Sequence, residues 1–423
     1  MLITSTPPDL ITGGANPCLL SDKRFFVFAQ AWLFIRVYFK SIFAYRSAGA
    51  KWSVRHVVFL IVFPPVFISL ELFNRLCFLL DELFYHGYRE IDVKSPFFIV
   101  GFPRSGTTHL HRLLVKDNQC TSMYLWEILF APSILQKKFI LWLGIIDQQI
   151  GSPLYRLISR IEDRRFAEER KMHHISLFEP EEDEISLLHI FASAFQIQMF
   201  PFEEMLRFTH FDTAFSETYR SKVMSFYKNL IRRHLYVFGP DKYYLSKNPA
   251  FSCKIHSLYA AFPDAKIVCA VRTPFDAVPS AISWMSHNSA TFHKTESRFE
   301  TETIIDAIGH WYTYPLEALE AYPKATYEIM LYDDLVAHPS QVVTDLYAKF
   351  QIEIREDFEN HLEVAERRAK AYRSEHHYQL AEMGLSPEWI LERFSDTFER
   401  FGFSRQSDQF HHDDHIHKIK ASM

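Results

Sequence analysis

One loop constrains the fold of this 423-residue chain more than any other stretch, and it reads Gly101-Phe102-Pro103-Arg104-Ser105-Gly106-Thr107-Thr108. The apolar run 97–100 before the loop predicts a short buried strand. Leu110, Leu113 and Leu114 after it have the spacing of one helix face. A strand, a glycine-bounded loop and a helix N-terminus together predict an anion-binding site, because unpaired backbone N–H groups and the helix dipole face the ligand.

The cation of this loop lies at a different position from the lysine of the common phosphate-binding loop. The two glycines have the spacing of G-x-x-x-x-G-K-[ST], but Thr107 occupies the position of the lysine. The nearest cation is Arg104, inside the loop. Because a planar guanidinium suits bidentate contact with phosphate or sulfate, the loop predicts a site for one of these groups.

A second strand–helix unit begins at residue 243. Residues 243–246 predict a short strand, and Lys247 follows it directly. Asn248 has the side chain of a helix N-cap, and Pro249 suits the first helical position. Lys247 is therefore predicted to lie at the carboxyl end of a strand.

A third unit brings another arginine to the same place. Residues 266–271 predict a strand, Arg272 lies at its end, and Ser280 lies about two turns along the helix that follows. Strands separated by helices favour a parallel sheet, whose ligand lies beyond the carboxyl ends of the strands. Arg104, Lys247 and Arg272 all fall at such ends, a pattern typical of a site for a polyanionic ligand.

These motifs resemble those of sulfotransferases that use 3′-phosphoadenosine 5′-phosphosulfate (PAPS). The loop resembles their 5′-phosphosulfate loop, and Arg104, in place of the lysine of cytosolic enzymes, is similar to the tyrosylprotein and bacterial type-3 branches. Arg272-x7-Ser280 after a strand resembles the 3′-phosphate motif, and Lys247-Asn248-Pro249 resembles the Lys-x-Pro loop. The resemblance covers about residues 96–375.

The resemblance implies an α/β fold with a P-loop-like parallel β-sheet flanked by helices. It also implies three parts of the chain: an N-terminal helical, aromatic-rich region (1–94), a sulfotransferase domain (95–403) and a polar, His-rich tail (404–423). The implied activity is transfer of a sulfonyl group from PAPS to a hydroxyl, with 3′-phosphoadenosine 5′-phosphate (PAP) as product and no metal required.

The resemblance also implies a role for each motif. The 5′-phosphosulfate would contact the loop residues Pro103, Arg104, Ser105, Gly106, Thr107 and Thr108. Lys247 would neutralise charge on the bridging oxygen, and Arg272 with Ser280 would hold the 3′-phosphate. The basic stretch 367–374 would close over the cofactor with Tyr372, Arg373 and Ser374, although a solvated helix face explains its charges equally well.

The general base stays open among four residues. A base must reach the acceptor hydroxyl and hold a pKa near the working pH. Glu182 and Glu181 rank first, Glu127 next and His174 last. Pro180 followed by acidic residues predicts a helix start, where the dipole stabilises a carboxylate and weakens it as a base, whereas burial acts in the opposite direction.

The N-terminal region is unusually apolar, in a chain with 40 phenylalanines. The segments 25–39 and 57–70 are expected to be shorter than the roughly 18–20 residues of a spanning helix, and Pro64-Pro65 is expected to interrupt the second. They predict either helices in the membrane interface or over an acceptor tunnel, or a helical subdomain on the core. A lipid-like or other hydrophobic acceptor and peripheral membrane contact follow from the first interpretation.

Charge and cysteine content bound the remaining classes. A net charge of −5 argues against a general nucleic-acid binder. The five cysteines include no C-x-x-C pair, so they predict neither a zinc site nor a disulfide framework and favour a reducing, cytoplasmic compartment. Two alternatives remain: an ATP-dependent P-loop kinase, and a non-catalytic, membrane-associated nucleotide-binding protein.

Overall fold

The computed structural model describes residues 23–43, 54–165, 175–200, 202–282, 301–369 and 386–405. His174, Tyr372, Arg373 and Ser374 lie outside these ranges, so their predicted roles stay predictions.

A five-stranded parallel sheet forms the centre of the molecule, in the order β2-β3-β1-β4-β5. Its strands are β1 (Phe97–Gly101), β2 (Cys120–Thr121), β3 (Tyr243–Lys247), β4 (Lys266–Val271) and β5 (Tyr327–Leu331). The three strands predicted to end at a cation are the adjacent ones β3, β1 and β4, so the predicted parallel α/β fold is confirmed.

Helices surround this sheet. They are α1 (Lys23–Phe43), α2 (Val54–Phe84), α3 (Thr107–Leu114), α4 (Leu125–Phe130), α5 (Ile134–Gln149), α6 (Pro153–Arg165), α7 (Gln196–Met199), α8 (Glu203–Leu206), α9 (Phe211–Ala214), α10 (Glu217–Phe238), α11 (Ile255–Ala261), α12 (274–282), α13 (Thr301–Leu319), α14 (Tyr332–Ala337), α15 (Pro339–Phe350), α16 (Glu356–Ala369), α17 (Pro387–Arg393) and α18 (Ser395–Phe401). Short 3-10 helices are His86–Glu90, Asp183–Ile190, Arg207–His210, Pro249–Lys254 and Lys324–Thr326.

The sheet separates two apolar cores, because side chains alternate between the faces of a strand. Phe98 and Val100 of β1 join the larger core, and Phe97 and Ile99 join the smaller one. Helices α3, α15 and α16 cover the smaller core. Helices α10, α11 and α13 cover the larger core together with α1, so the predicted N-terminal region shares a core with the sheet.

The two N-terminal helices are longer than the sequence predicts. α1 has 21 residues and α2 has 31, and α2 continues through Pro64 and Pro65. Proline at position 64 removes the N–H that would bond to the carbonyl of Leu60, and the Tyr38 hydroxyl of α1 donates to this carbonyl at 3.1 Å instead. The expected interruption and short length were therefore wrong, and both helices are long and apolar enough to cross a membrane by length and composition.

Candidate active site

Two glycines with positive φ shape the loop between β1 and α3. Gly101 has φ 128°, and a Cβ there would lie 2.2 Å from the carbonyl oxygen of Ala270 in β4. Gly106 has φ 86°, and a Cβ there would lie 2.7 Å from the Tyr332 ring. Both positions therefore require glycine. Arg104 has φ 70°, a left-handed conformation that a non-glycine residue adopts only at a cost.

The structure brings Arg104, Arg272 and Ser280 together. Arg104 Nε donates to Ser280 Oγ at 2.9 Å, and Arg272 Nη1 lies 3.5 Å from the Arg104 carbonyl oxygen. The Arg272 guanidinium also lies over the Tyr332 ring, 4.4 Å from its centre. Tyr332 was not among the predicted site residues, although its position directly after β5 matches the rule that placed the arginines.

Three buried polar atoms along this edge of the sheet have no hydrogen-bond partner in the part of the chain that the structure describes. They are Ser105 Oγ, Asn248 Nδ2 and Arg272 Nε, which come after β1, β3 and β4 respectively. An unpaired buried polar group costs about 1–3 kcal/mol. Because two of these atoms are N–H donors and the third is a hydroxyl, the set suits an oxyanion.

Lys247 bonds to both first-ranked base candidates. Its Nζ lies 3.0 Å from Glu181 Oε1 and 3.0 Å from Glu182 Oε1. Burial would lower the pKa of Lys247, but the two carboxylates outweigh it, so this pKa lies above its ordinary value and the ammonium is charged. The lysine side chain is 1% exposed and the glutamates are 12% and 17% exposed, so the carboxylates are the more accessible members of this cluster.

The helix predicted to begin after Pro180 begins three residues later. Pro180 pairs with Tyr124 in an antiparallel bridge, and the 3-10 helix begins only at Asp183, with Glu182 as its N-cap. The Asp183 carboxylate accepts hydrogen bonds from three side-chain hydroxyls, those of Tyr227, Tyr244 and Ser246. Burial raises the pKa of Asp183 to about 6. This anchor holds the glutamates beside β3.

Glu127 belongs to a buried ion cluster. Its Oε2 lies 2.9 Å from His234 Nδ1 and 3.5 Å from Lys137 Nζ, and its Oε1 accepts from the Tyr124 amide. Burial would raise the pKa of Glu127, but His234 and Lys137 outweigh it and lower the pKa below its ordinary value. Both oxygens of Glu127 are therefore engaged, and its carboxylate is a weakened base.

His111 of α3 is a buried neutral histidine near Lys247. Its Nε2 lies 3.1 Å from Ser122 Oγ, and that hydroxyl donates its proton to the Leu245 carbonyl at 2.7 Å. Nε2 must therefore be the donor to Ser122. Burial, followed by the positive charge of Lys247, lowers the pKa of His111 to about 3.

The lowered pKa of His111 predicts how the free energy of unfolding changes at acid pH. The folded-state value lies below the ordinary 6.5, so the unfolded chain binds the proton more tightly, and stability is lost as pH falls below 6.5. His111→Gln removes the titrating group. Urea unfolding between about pH 7 and pH 4 is expected to show the wild type losing up to about 1.4 kcal/mol per pH unit more than the variant. Parallel stability curves would contradict the assignment.

A cleft of about 1130 Å³ opens beside the loop. It is lined by the loop residue Arg104, by Thr108 and Arg112 of α3, by Lys116 two residues after that helix, by Tyr332 and by residues of α16 that include Arg368. Sequence reasoning missed Arg112 and Lys116. A signal for Arg112 was present, because positions 108 and 112 are four apart and share one face of α3, whereas Lys116 lies beyond the end of that helix.

The comparison with known families agrees with this geometry. Residues 96–357, more than half of the chain, match the sulfotransferase family. The chain therefore belongs to the sulfotransferase family and is a sulfotransferase enzyme.

Known relatives and structures cover most of the chain. It is 24% identical over 324 residues to omega-hydroxy-beta-dihydromenaquinone-9 sulfotransferase Stf3 of Mycobacterium bovis, covering 74% of this chain and 76% of the relative. Its fold is similar to that of sulfotransferase STF9 from Mycobacterium avium (TM-score 0.60, 19% identity, 78% of this chain and 82% of the other). It is also similar to that of sulfotransferase STF1 from Mycobacterium tuberculosis (TM-score 0.58, 20% identity, 89% and 99%).

Proposed function

We propose that this enzyme transfers the sulfonyl group of PAPS to a hydroxyl of a hydrophobic, lipid-like acceptor. The observation that carries the proposal is the set of unpaired buried donors, Ser105 Oγ, Asn248 Nδ2 and Arg272 Nε, beside the cations Arg104 and Lys247. A dianionic phosphosulfate and a phosphate would pair with these donors.

The chain divides the nucleotide between two anion subsites. The Ser105 hydroxyl, the backbone amides from Gly106 to Thr108 at the start of α3 and the Arg104 guanidinium bind the 5′-phosphosulfate. Arg272 and Ser280 bind the 3′-phosphate that distinguishes PAPS from ATP. The cleft between α3 and α16 then receives the adenosine, with Tyr332 at its wall.

The transfer itself depends on Lys247 and one glutamate. The acceptor oxygen forms a bond to sulfur while the bond between sulfur and the bridging phosphate oxygen breaks, and PAP leaves with that electron pair. Charged Lys247 stabilises the bridging oxygen, and Glu182 or Glu181 takes the hydroxyl proton. The bonds of Lys247 to both carboxylates support a mechanism in which the base and the electrostatic stabiliser act side by side.

The acceptor class rests on two separate features. The relative Stf3 is named for an omega-hydroxylated dihydromenaquinone, a lipid with a hydroxyl on its chain. In this chain, exposed apolar side chains cover the helices that precede the catalytic carboxylates. Both features support a hydrophobic alcohol as acceptor.

The two glutamates can be separated by amide variants. Glu182→Gln is expected to lower kcat by about 10²–10⁴-fold, because the amide cannot take the proton, while the affinity for PAP stays unchanged. Glu181→Gln is expected to have a smaller effect, because the Glu181 side chain is the less exposed of the two. Glu179→Gln, two residues earlier, is the matched control. Near-wild-type turnover of both the Glu181 and Glu182 variants would remove these residues as the base.

The function is tested directly by calorimetry and by transfer assays. PAP is expected to bind without metal and more tightly than ATP–Mg²⁺, and labelled PAPS is expected to sulfate a long-chain alcohol dispersed in detergent. Preference for ATP–Mg²⁺ would overturn the proposal and favour a kinase.

A further inference from the structure

Exposed apolar side chains are confined to one part of the molecule. Among the described residues, every exposed large apolar side chain except Val364 lies between residues 27 and 178. Most of them lie on α1, α2, α5 and α6, and α2 contacts α1 and α5 while α5 contacts α6. We call the exposed surface of these four helices the apolar face. A patch on this scale exceeds what a monomer normally leaves in water.

α2 forms the centre of the apolar face. Between Val57 and Phe84, every exposed residue is apolar except Ser69. A protein–protein interface of this length would carry about one hydrogen bond per 100–200 Å², and α2 offers almost no exposed side chain that could make one. The composition of this surface suits hydrocarbon better than another protein.

α2 is tied to the catalytic domain near both of its ends. The Phe59 ring packs on the Phe200 ring, with centroids 5.8 Å apart. At the other end, Asp81 accepts from Arg233 Nε at 3.0 Å and from the Ile134 amide at 2.9 Å. The rise of 22 residues from Phe59 to Asp81 is about 33 Å, so α2 is long enough to span the hydrocarbon core of a bilayer. However, both ends of α2 are held by the same domain. The helix therefore lies along the surface of that domain and does not cross a bilayer.

The exposed charges of the apolar face are predominantly positive. Its exposed charged residues, where side chains are described, are the bases Arg36, Arg55, Lys138, Arg156, Arg160 and Arg164 and a single acid, Asp163. The chain as a whole has a net charge of −5. On α6, Leu154, Leu157 and Ile161 share one helix face, and the three arginines lie four residues apart on the adjacent face. This pattern is typical of a helix in the interface of an anionic membrane.

We infer that the apolar face docks on the surface of an anionic lipid bilayer, with α2 lying parallel to the membrane. Lipid molecules cover this face: their acyl chains contact the apolar side chains, and their head groups pair with the arginines of α6. Each basic residue near such a surface contributes about 1 kcal/mol of binding free energy.

The docked face ends beside the proposed base, which deepens the proposed function and rests on it. The Tyr155 ring of α6 packs against Phe178, 5.0 Å between centroids, and Glu162 of α6 accepts from the Leu177 amide at 2.6 Å. Glu181 follows Phe178 by three residues. A lipid alcohol whose chain stays in the bilayer therefore meets the carboxylates at the membrane border.

Vesicle flotation of the full chain tests the docking. Binding is expected to be stronger to phosphatidylcholine vesicles that contain phosphatidylglycerol than to phosphatidylcholine alone, and to be released at alkaline pH without detergent. The double variant Leu72→Asp/Leu76→Asp is expected to lose at least about tenfold in partitioning, because it places charges in the acyl region. Thr344→Asp/Ala348→Asp is the matched control and is expected to float like the wild type, because it adds two charges at exposed positions four residues apart on α15, outside both the apolar face and the cleft.

A second variant leaves the apolar side chains intact. Arg160→Glu/Arg164→Glu is expected to lose more than about tenfold in binding to the anionic vesicles and little in binding to neutral ones. Arg355→Glu, an exposed arginine elsewhere, is its control. PAP binding, measured on every variant, reports folding and separates a failed docking inference from a failed nucleotide site.

Three outcomes would overturn the inference. They are absence of binding to either vesicle type by the wild type, a dimer in solution that Leu72→Asp/Leu76→Asp dissociates, and extraction from membranes by detergent alone. The second would assign the face to another copy of this chain, and the third would make α2 a spanning helix.

Discussion

Lys247→Ala is expected to lower kcat by about 10³-fold. Its ammonium is charged, buried and bonded to Glu181 and Glu182 at 3.0 Å, so it is positioned before the reaction begins. Removing one such preorganised group from an oxyanion site costs about 10²–10³-fold, and here the two adjacent carboxylates also lose their counter-ion. Single-turnover transfer from labelled PAPS measures the chemical step, and the affinity for PAP is expected to change much less.

Lys254 provides the matched control. It is also fully buried and bonded to a glutamate, with Nζ 2.8 Å from Glu184 Oε1. Lys254→Ala is expected to lower the free energy of unfolding by about 3–5 kcal/mol, because it leaves a buried charge unpaired, while each folded molecule keeps its turnover. If Lys247→Ala lost stability alone and kept turnover within about tenfold, Lys247 would be a structural residue and the assignment would fail.

Arg272→Ala is expected to weaken PAP binding by about 100-fold, the effect of removing one buried, charge-assisted contact to a phosphate. Its Nε is buried without a partner among the described residues, so it is available to a ligand. The proposed partner of Arg272 is the 3′-phosphate. Binding of 5′-AMP, which lacks that phosphate, is therefore expected to change by less than about threefold, and calorimetry with both nucleotides measures the difference.

Comparing PAP with 5′-AMP also shows whether Arg272 contacts the 3′-phosphate or only holds the loop in place. Arg272 Nη1 also approaches the Arg104 carbonyl oxygen, and its guanidinium lies over Tyr332. If Arg272→Ala weakened 5′-AMP and PAP equally, the residue would act by holding the loop and would not read the 3′-phosphate. Arg355→Ala, an exposed arginine outside the cleft, controls for the general loss of one positive charge.

Most of the sheet could be predicted, because its signals are local. The apolar runs before Arg104, Lys247 and Arg272 became β1, β3 and β4, and glycine spacing marked the loop between β1 and α3. Asn248 caps the 3-10 helix as predicted, by accepting from the Ala250 amide. A strand that is buried on both faces and followed by a cap leaves a readable pattern in a few residues.

The arrangement of the base could not be predicted in the same way. Glu181 and Glu182 are 65 or more residues before Lys247 in the chain, and nothing local indicates that both bond to it. The anchor of Asp183 on three hydroxyls is likewise a contact between distant elements. Glu127 ranked behind Glu182 in sequence but stayed a candidate, and its burial beside His234 and Lys137 appears only in the structure.

α2 shows the same difference between what local sequence predicts and what a tertiary contact changes. Sequence pattern identified an apolar segment with two prolines and predicted an interruption. The helix continues because a hydroxyl from a neighbouring helix, that of Tyr38, replaces the lost donor at Leu60.

Local pattern alone was enough to predict the parallel sheet, the anion loop and the cations at the strand ends, since each depends on residues adjacent in the chain. The packing of distant elements determines which carboxylates accompany Lys247, which buried donors remain unpaired and which helix faces stay exposed. These depend on desolvation and on distances between elements far apart in the chain, which no local pattern encodes.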